Sequence, residues 1–102
     1  MILSNTIISL NSRNMTFFND PGHGWLKVNK SVLSTLGIVN KISGFSYMKN
    51  DYVYLEEDLD TGIFFDALVE KGFEKQEVVN FKQSIKDRYV ENSSRIRNYP
   101  TY

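Results

Sequence analysis

The chain has 102 residues, in which 12 Lys and Arg balance 12 Asp and Glu, and it contains no cysteine. A formal net charge of zero weighs against general DNA binding and against attraction to an anionic membrane, and the lack of cysteine excludes disulfides, a thiol nucleophile and a cysteine-ligated zinc site. One hydrophobic core suffices at this length, and a content of 41% hydrophobic residues can fill it without a structural metal.

Residues 1–14 are expected to form an N-terminal extension, either a strand or a partly disordered segment, ahead of a single domain over residues 15–102. Ser4-Asn5-Thr6 interrupts the apolar run near the start and no Lys or Arg precedes that run, which is not the pattern of a signal peptide. No apolar stretch approaches the roughly 20 residues that cross a bilayer. We therefore expect no membrane insertion and a cytoplasmic location.

The segments Met15–Phe18 and Trp25–Val28 are rich in aromatic and apolar residues and flank a cluster of turn formers, a pattern that predicts two strands. Pro21 fixes its φ in the connecting loop, and the two glycines on either side of His23 permit positive φ. This composition predicts a loop of one defined shape with His23 at its tip.

A short helix is predicted from Asn29 or Ser31, as N-cap, to Leu36, with Gly37 as its C-terminal stop. The segments Gly44–Met48 and Tyr52–Leu55 then read as a β-hairpin around Lys49-Asn50-Asp51. Alternation along the second strand places Tyr52 and Tyr54 on one face of the sheet and Val53 and Leu55 on the other.

The main helix is predicted to start at a cap formed by Asp58 or Asp60 and to end at Gly72. Its apolar stripe consists of Ile63, Phe64, Ala67 and Leu68. Val78–Phe81 is interpreted as a further strand, and Gln83–Val90 as either helix or loop. The fold class is therefore α+β: a small antiparallel sheet of four to five strands in hairpins, packed against one main helix and one short helix.

Three segments are candidates for a ligand-binding site. The loop carries the only His and the only Trp, and His23 supplies hydrogen bonds while Trp25 supplies a stacking face. Near the C-terminus, Ser94, Arg95 and Arg97 form a candidate anion clamp, because an extended chain places both guanidinium groups on the same side. A third set, Tyr47, Tyr52 and Tyr54, provides a wall for ring stacking. Each feature also has a structural explanation: a hairpin turn, surface arginines and half-buried sheet tyrosines.

Catalysis has little support in the sequence. A lone His without Cys or a neighbouring Ser nucleophile leaves only His23 with Asp20 as an acid-base pair. The acidic run around Glu56 lacks the spacing of an EF-hand, and helix capping explains it sufficiently. No phosphate-binding loop or dinucleotide fingerprint occurs, so any nucleotide site would be built from scattered side chains. Neither a cofactor nor a metal is expected.

Several short motifs occur in a fixed order from Phe17 onward: NDPGHGWLKV over residues 19–28, YLEED over residues 54–58 and SRIRNY over residues 94–99. With them, the chain resembles a family of small, mostly uncharacterised accessory proteins of bacteriophages, prophages and plasmids. The resemblance brings no catalytic residues with it. It leaves residues 1–14 outside, which makes Met15 a candidate alternative start.

Accessory genes of this kind often counter host immunity, so the resemblance implies a role in phage-host conflict inside the host cytoplasm, by association alone. Our leading hypothesis from the sequence is that the protein binds and sequesters a small anionic, nucleotide-derived immune signal without catalysis, with sites shared between chains if it forms a homo-oligomer. The ligand-binding residues in this hypothesis are His23, Trp25, Tyr47, Tyr54, Ser94, Arg95 and Arg97. The alternatives are a protein inhibitor that blocks a host defence protein through its acidic helix start and aromatic surface, and a small hydrolase that uses His23 and Asp20.

Overall fold

The computed structural model describes residues 15–102, and the expectation for residues 1–14 lies outside the described residues. The described part forms strands β1 (Thr16–Asn19), β2 (Gly24–Asn29), β3 (Tyr47–Lys49), β4 (Tyr52–Glu56) and β5 (Lys86–Tyr89), and helices α1 (Lys30–Leu36), α2 (Asp60–Glu70) and α3 (Lys75–Ser84). Two short 3₁₀ helices cover Val39–Lys41 and Arg95–Asn98. No helix within residues 15–102 is long and apolar enough to span a membrane.

The strands form one sheet in the order β3-β4-β2-β1-β5. The predicted α+β class is confirmed, but the sheet is mixed rather than purely antiparallel, because β5 runs parallel to β1. Parallel neighbours need a long crossover, and the helical segment containing α2 and α3 precedes β5 in the chain. The other three pairings are antiparallel, as expected.

The sheet has two unlike faces. Its helix face packs Leu26 and Leu55 against the helices, where Leu33, Phe64 and Leu68 complete a core with almost no solvent exposure. Its other face, which we call the tail face, carries Trp25, Tyr54 and further aromatic residues, and the C-terminal segment lies on it. The predicted alternation along β4 is confirmed, since Tyr52 and Tyr54 belong to the tail face and Val53 and Leu55 to the core.

Val78–Phe81 is helix α3, so the prediction of a strand there is wrong. A capping box starts this helix: the Glu74 side chain accepts from the backbone of Glu77, and the Glu77 side chain accepts from the backbone N–H of Glu74. Val78 and Phe81, three residues apart, both contact the core. The adjacent β-branched residues Val78 and Val79 favour a strand locally, and the capping box and the core contacts of α3 override that preference.

Gln83–Val90, expected as either helix or loop, is helical only at Gln83 and Ser84 and is mainly the strand β5. Helix α3 ends at Ser84, and β5 follows immediately. All four residues of β5 are exposed, so the strand lacks the alternation that identifies a half-buried strand in a sequence. Pairing with β1 creates this strand.

The hairpin and the main helix begin differently from the prediction. Strand β3 begins at Tyr47 rather than at Gly44. Neither Asp58 nor Asp60 caps α2: the carboxylate of Glu56 accepts hydrogen bonds from the backbone N–H groups of Asp58, Leu59 and Asp60. Asp60 is fully buried and accepts from Ser43 and Ser46, which ties the start of α2 to the segment before β3.

Two local signals around α1 are confirmed. Asn29 is the N-cap, and its side chain accepts from the N–H of Ser31. Gly37 ends the helix in the left-handed region, at φ 71°.

The glycines beside His23 serve a purpose different from the predicted one, since neither has positive φ. A Cβ atom on Gly22 would lie 2.8 Å from Nη2 of Arg97, and a Cβ atom on Gly24 would lie 2.5 Å from Cζ of Phe17. These residues are therefore glycines because neighbouring side chains occupy the space that a Cβ atom needs.

Gly24→Ala should consequently lower the free energy of unfolding by about 1–3 kcal/mol, because the Phe17 ring must leave its packed position. Gly62→Ala is the matched control: it lies in α2 with open space around its Cα, and it should raise stability by about 0.5–1 kcal/mol. Urea unfolding followed by circular dichroism measures both. A Gly24→Ala variant as stable as the wild type would contradict the packing argument.

Candidate functional site

The loop between β1 and β2 is organised by one carboxylate. Oδ1 of Asp20 accepts hydrogen bonds from the backbone N–H groups of Gly22 at 2.9 Å and His23 at 3.0 Å, and the N–H of Asp20 donates to the carbonyl of His23. This local bonding holds the turn in one conformation. The predicted single shape agrees with this geometry, although Asp20 produces it rather than glycine freedom.

The same carboxylate holds the C-terminal segment. Arg97 donates to it through Nε at 2.7 Å and Nη2 at 2.8 Å, and the backbone N–H of Ser94 donates at 2.8 Å. The Arg97 guanidinium, together with the three backbone donors, holds the pKa of the buried Asp20 carboxyl far below its usual range despite the opposing effect of burial. Asp20 in turn raises the pKa of Arg97.

This ion pair anchors the start of a segment that crosses the tail face, residues 94–102, which we call the tail. Ile96 is buried against Trp25 and Tyr54. Farther along, the carbonyl of Pro100 accepts from the N–H of Met48, and the N–H of Tyr102 donates to the carbonyl of Ser46. The tail is therefore fastened at the loop, at the middle of the sheet and beside β3.

The predicted anion clamp does not form as expected, because residues 95–98 are a 3₁₀ helix and not an extended chain. Arg97 is engaged by Asp20, and its Cζ lies 5.3 Å from the centre of the Trp25 ring. Arg95 is exposed and lines a different concavity. The Ser94 side chain accepts from the N–H of Ile96 as N-cap, so its hydroxyl already has a structural partner.

His23, Trp25, Tyr47 and Arg97 meet at a cleft of about 430 Å³, so the structure does bring these predicted residues together. The rings of His23 and Trp25 are 6.2 Å apart, and Nδ1 of His23 lies 3.7 Å from a carboxylate oxygen of Glu57. Glu56 and Asp58 also border this cleft. Burial alone would raise the pKa of Glu56, but its backbone donors and nearby His23 lower it. The acidic rim makes the cleft a poor site for an anion.

A second concavity, which we call the tail groove, lies between the tail, β1 and β5 and has a volume of about 720 Å³. Its aromatic lining consists of Phe18, Tyr54 and Tyr99, with ring centres 6.2 Å apart for the first pair and 5.2 Å for the second. Burial raises the pKa of Tyr54, an effect that Tyr99 and Tyr52 reinforce. The groove is thus lined by three neighbouring rings, of which Phe18 and Tyr99 are half-buried and Tyr54 is buried.

Arg88 of β5 and Arg95 of the tail both line the groove, and Glu91 is the one acidic residue beside them in the described lining. Sequence reasoning selected Tyr54, Ser94 and Arg95 from this set but missed Phe18, Arg88 and Tyr99. Arg88 was missed because β5 was not predicted as a strand. The alternating pattern of β1 places Phe18 on the same face as Trp25, and that pattern was the available signal.

The acid-base pair of the hydrolase hypothesis is not assembled. The donors to the Asp20 carboxylate are the Arg97 side chain and the backbone N–H groups of Gly22, His23 and Ser94, and the imidazole of His23 is not one of them. Within residues 15–102, no group of three or more His, Cys, Asp or Glu side chains is arranged to hold a metal ion.

No protein-family model matches the chain, and comparisons with curated proteins and with solved structures find no match. The resemblance to accessory proteins of phages and plasmids stays an expectation drawn from sequence motifs.

The Asp20–Arg97 pair gives a pH-dependent prediction. Because the folded pKa of Asp20 lies below its unfolded value of about 3.9, its stabilisation is complete above that value and is lost as the pH falls toward the folded pKa. Arg97→Ala should lower the free energy of unfolding by about 2–4 kcal/mol at neutral pH. It should also make the decrease in the free energy of unfolding below pH 4 smaller than in the wild type. Chemical denaturation at a series of pH values measures both effects.

Arg95→Ala is the matched control for this experiment, because Arg95 is exposed and two residues away. It should change stability by no more than about 0.5 kcal/mol and keep the wild-type pH profile. Equal effects of the two substitutions would show that the ion pair does not hold the tail.

Proposed function

We propose that the protein binds a small anionic ligand that carries an aromatic ring, of the nucleotide type, in the tail groove and releases it unchanged. The observation that supports this function best is the combination of three aromatic rings with two arginines in one concavity. Within residues 15–102, neither Arg88 nor Arg95 makes an ion pair, so both guanidinium groups are available to an anion.

The groove suits the two parts of a nucleotide. A base stacks on aromatic rings with a gain of about 1–3 kcal/mol per base, and a guanidinium group donates two parallel hydrogen bonds to a phosphate. A volume of about 720 Å³ lies within the range of ligand pockets. The acidic cleft around His23 lacks this pairing of rings with free cations.

Binding without turnover is favoured by the chemistry of the lining. Among the described residues of the groove, Glu91 is the only candidate general acid or base with a carboxyl group, and neither His nor Cys occurs there. With the resemblance to phage and plasmid accessory proteins, this supports a counter-defence role: sequestration of a nucleotide-derived immune signal in the cytoplasm of the host cell. An oligomer with shared sites remains part of the hypothesis.

Isothermal titration with a panel of cyclic nucleotides and ADP-ribose derivatives tests this function. We expect at least one member to bind, and Arg88→Gln and Arg95→Gln each to weaken it about tenfold or more, because each loses a charged hydrogen-bond donor. His23→Ala, in the other cleft, is the matched control and should keep the wild-type affinity. If no member of the panel binds, or if all three variants lose the same affinity, the assignment is overturned.

A second candidate, a protein inhibitor of a host defence protein, is favoured by one exposed apolar feature. Phe45 is 72% exposed and Leu59 is 48% exposed, and both border the acidic cleft next to Asp58. Large apolar side chains surrounded by charge are typical of protein interfaces. The acidic start of α2 that the sequence analysis singled out therefore has an apolar centre.

The inhibitor hypothesis predicts that tagged protein retains one stoichiometric partner from host cells and that Phe45→Ala combined with Glu57→Lys abolishes this capture. His23→Ala should have a smaller effect, because it removes neither the apolar centre nor a negative charge. Quantitative mass spectrometry of the captured material measures the outcome, and an empty capture by the wild type would count against this candidate.

A further inference from the structure

The charges of the sheet are sorted by face although the whole chain is neutral. Strand alternation and register place Lys27, Lys49, Lys86 and Arg88 on the tail face. Among the described strand residues, the one acid at a tail-face position is Glu56, whose carboxylate is occupied by the N–H groups at the start of α2. The tail face therefore presents a positive field that the net charge of zero conceals.

Two of these cations lie over aromatic rings, one of which lines the groove and one of which lies beyond it on β4. Nζ of Lys27 is 4.1 Å from the centre of the Tyr52 ring, and Nζ of Lys49 is 4.7 Å from the centre of the Tyr99 ring. Tyr99 also belongs to the groove, and Tyr52 is two residues from Tyr54 along β4. Rings paired with cations thus continue from the groove toward β3.

The basic and aromatic groups of the tail face extend across the sheet beside the tail. The tail passes over Trp25 and Tyr54 and then runs beside β3, and the row Asn29-Tyr52-Lys49 lies farther along the strands, four residues from Trp25 on β2. Lys27 and Tyr52 are half-buried and Lys49 and Lys86 are exposed, so these groups are accessible to a partner. Four intervals of about 4.8 Å separate β5 from β3, a span of roughly 19 Å.

A span of this length exceeds a single nucleotide. Single-stranded nucleic acids bind surfaces on which aromatic rings stack with successive bases and basic side chains follow the backbone. Duplexes keep their bases stacked inside the helix, so the rings on the part of the tail face that the tail leaves uncovered select unpaired strands. Arg88 and Arg95 at the groove, followed by Lys27 and Lys49, supply the cations in the required succession.

We propose that the occupant of the tail groove is one unit of a short single-stranded nucleic acid, which lies across the tail face from β5 to β3. This inference rests on the proposed nucleotide-type ligand and extends it to a strand. The groove holds one base and its phosphate, Tyr52 stacks with a neighbouring base, and Lys27 and Lys49 exchange their cation-π contacts for phosphates. Asp51, in the turn after β3, and Glu91 mark the acidic ends of this path.

Fluorescence anisotropy with a thymidine mononucleotide and an oligothymidylate of about eight nucleotides tests the inference. The oligonucleotide should bind about tenfold or more tightly than the mononucleotide, and its affinity should fall more steeply with salt because it releases more counterions. A double-stranded form of the same length should bind at least tenfold more weakly than the single strand.

Lys27→Gln combined with Lys49→Gln should lower the affinity for the oligonucleotide about tenfold and leave the affinity for the mononucleotide unchanged. Lys71→Gln combined with Lys75→Gln, on the helix side, is the matched control of equal charge and should alter neither affinity. Tyr52→Leu is a second variant, which keeps an apolar side chain but removes the ring. It should lower the affinity for the oligonucleotide and not the affinity for the mononucleotide. Circular dichroism confirms that each variant is folded.

The two proposals fail in different ways. If the titration panel contains a ligand but the oligonucleotide binds no more tightly than the mononucleotide, the strand inference is overturned and the proposed function stands. Equal binding of the duplex would also overturn it, as would equal losses in the tail-face and helix-side double variants. If neither the panel nor either thymidine probe binds, both proposals fail.

Discussion

The bidentate contact between Arg97 and the buried carboxylate of Asp20 is the constraint on which the rest of the tail face depends. One carboxylate satisfies two backbone donors of its own loop and then reaches across 77 residues of sequence to the tail. A buried carboxylate is stable only when such donors surround it, so the loop and the tail must adopt their positions together. With the tail held there, Ile96 covers the centre of the sheet and the groove opens beside it.

The second organising principle is the sorting of charge by the sheet. Successive residues along a strand point alternately to the core side and to the tail side of the sheet. A chain with balanced charge therefore acquires a basic face. On β5, the charged residues Lys86, Asp87 and Arg88 also lie at the edge of the sheet. Charged side chains on an exposed edge discourage pairing with a strand of another chain. The same strand therefore limits aggregation and supplies a cation to the groove.

Local signals predicted the fold wherever the stabilising contacts are local. Asn29 and Gly37 delimit α1 through contacts within a few residues, and the apolar stripe of α2 has the expected period. Prediction was wrong for α3, where adjacent valines imitate a strand, and incomplete for β5, whose residues are all exposed. For the site, His23, Trp25, Tyr47 and Arg97 do converge, but Arg97 is committed to Asp20. The groove itself needed Phe18 and Arg88, which only the pairing of β1 with β5 places together.

By itself, the sequence determined a small cysteine-free α+β domain, the two ends of α1 and the alternation of faces along β4. These properties follow from composition and from contacts over a few residues. Only the tertiary structure decided which arginine is free, which glycines are needed for space, and which side of the sheet is basic. Each of these depends on contacts between segments far apart in the chain, such as Arg97 with Asp20 or Gly24 with Phe17, whose partners are set by the pairing of strands and the path of the tail.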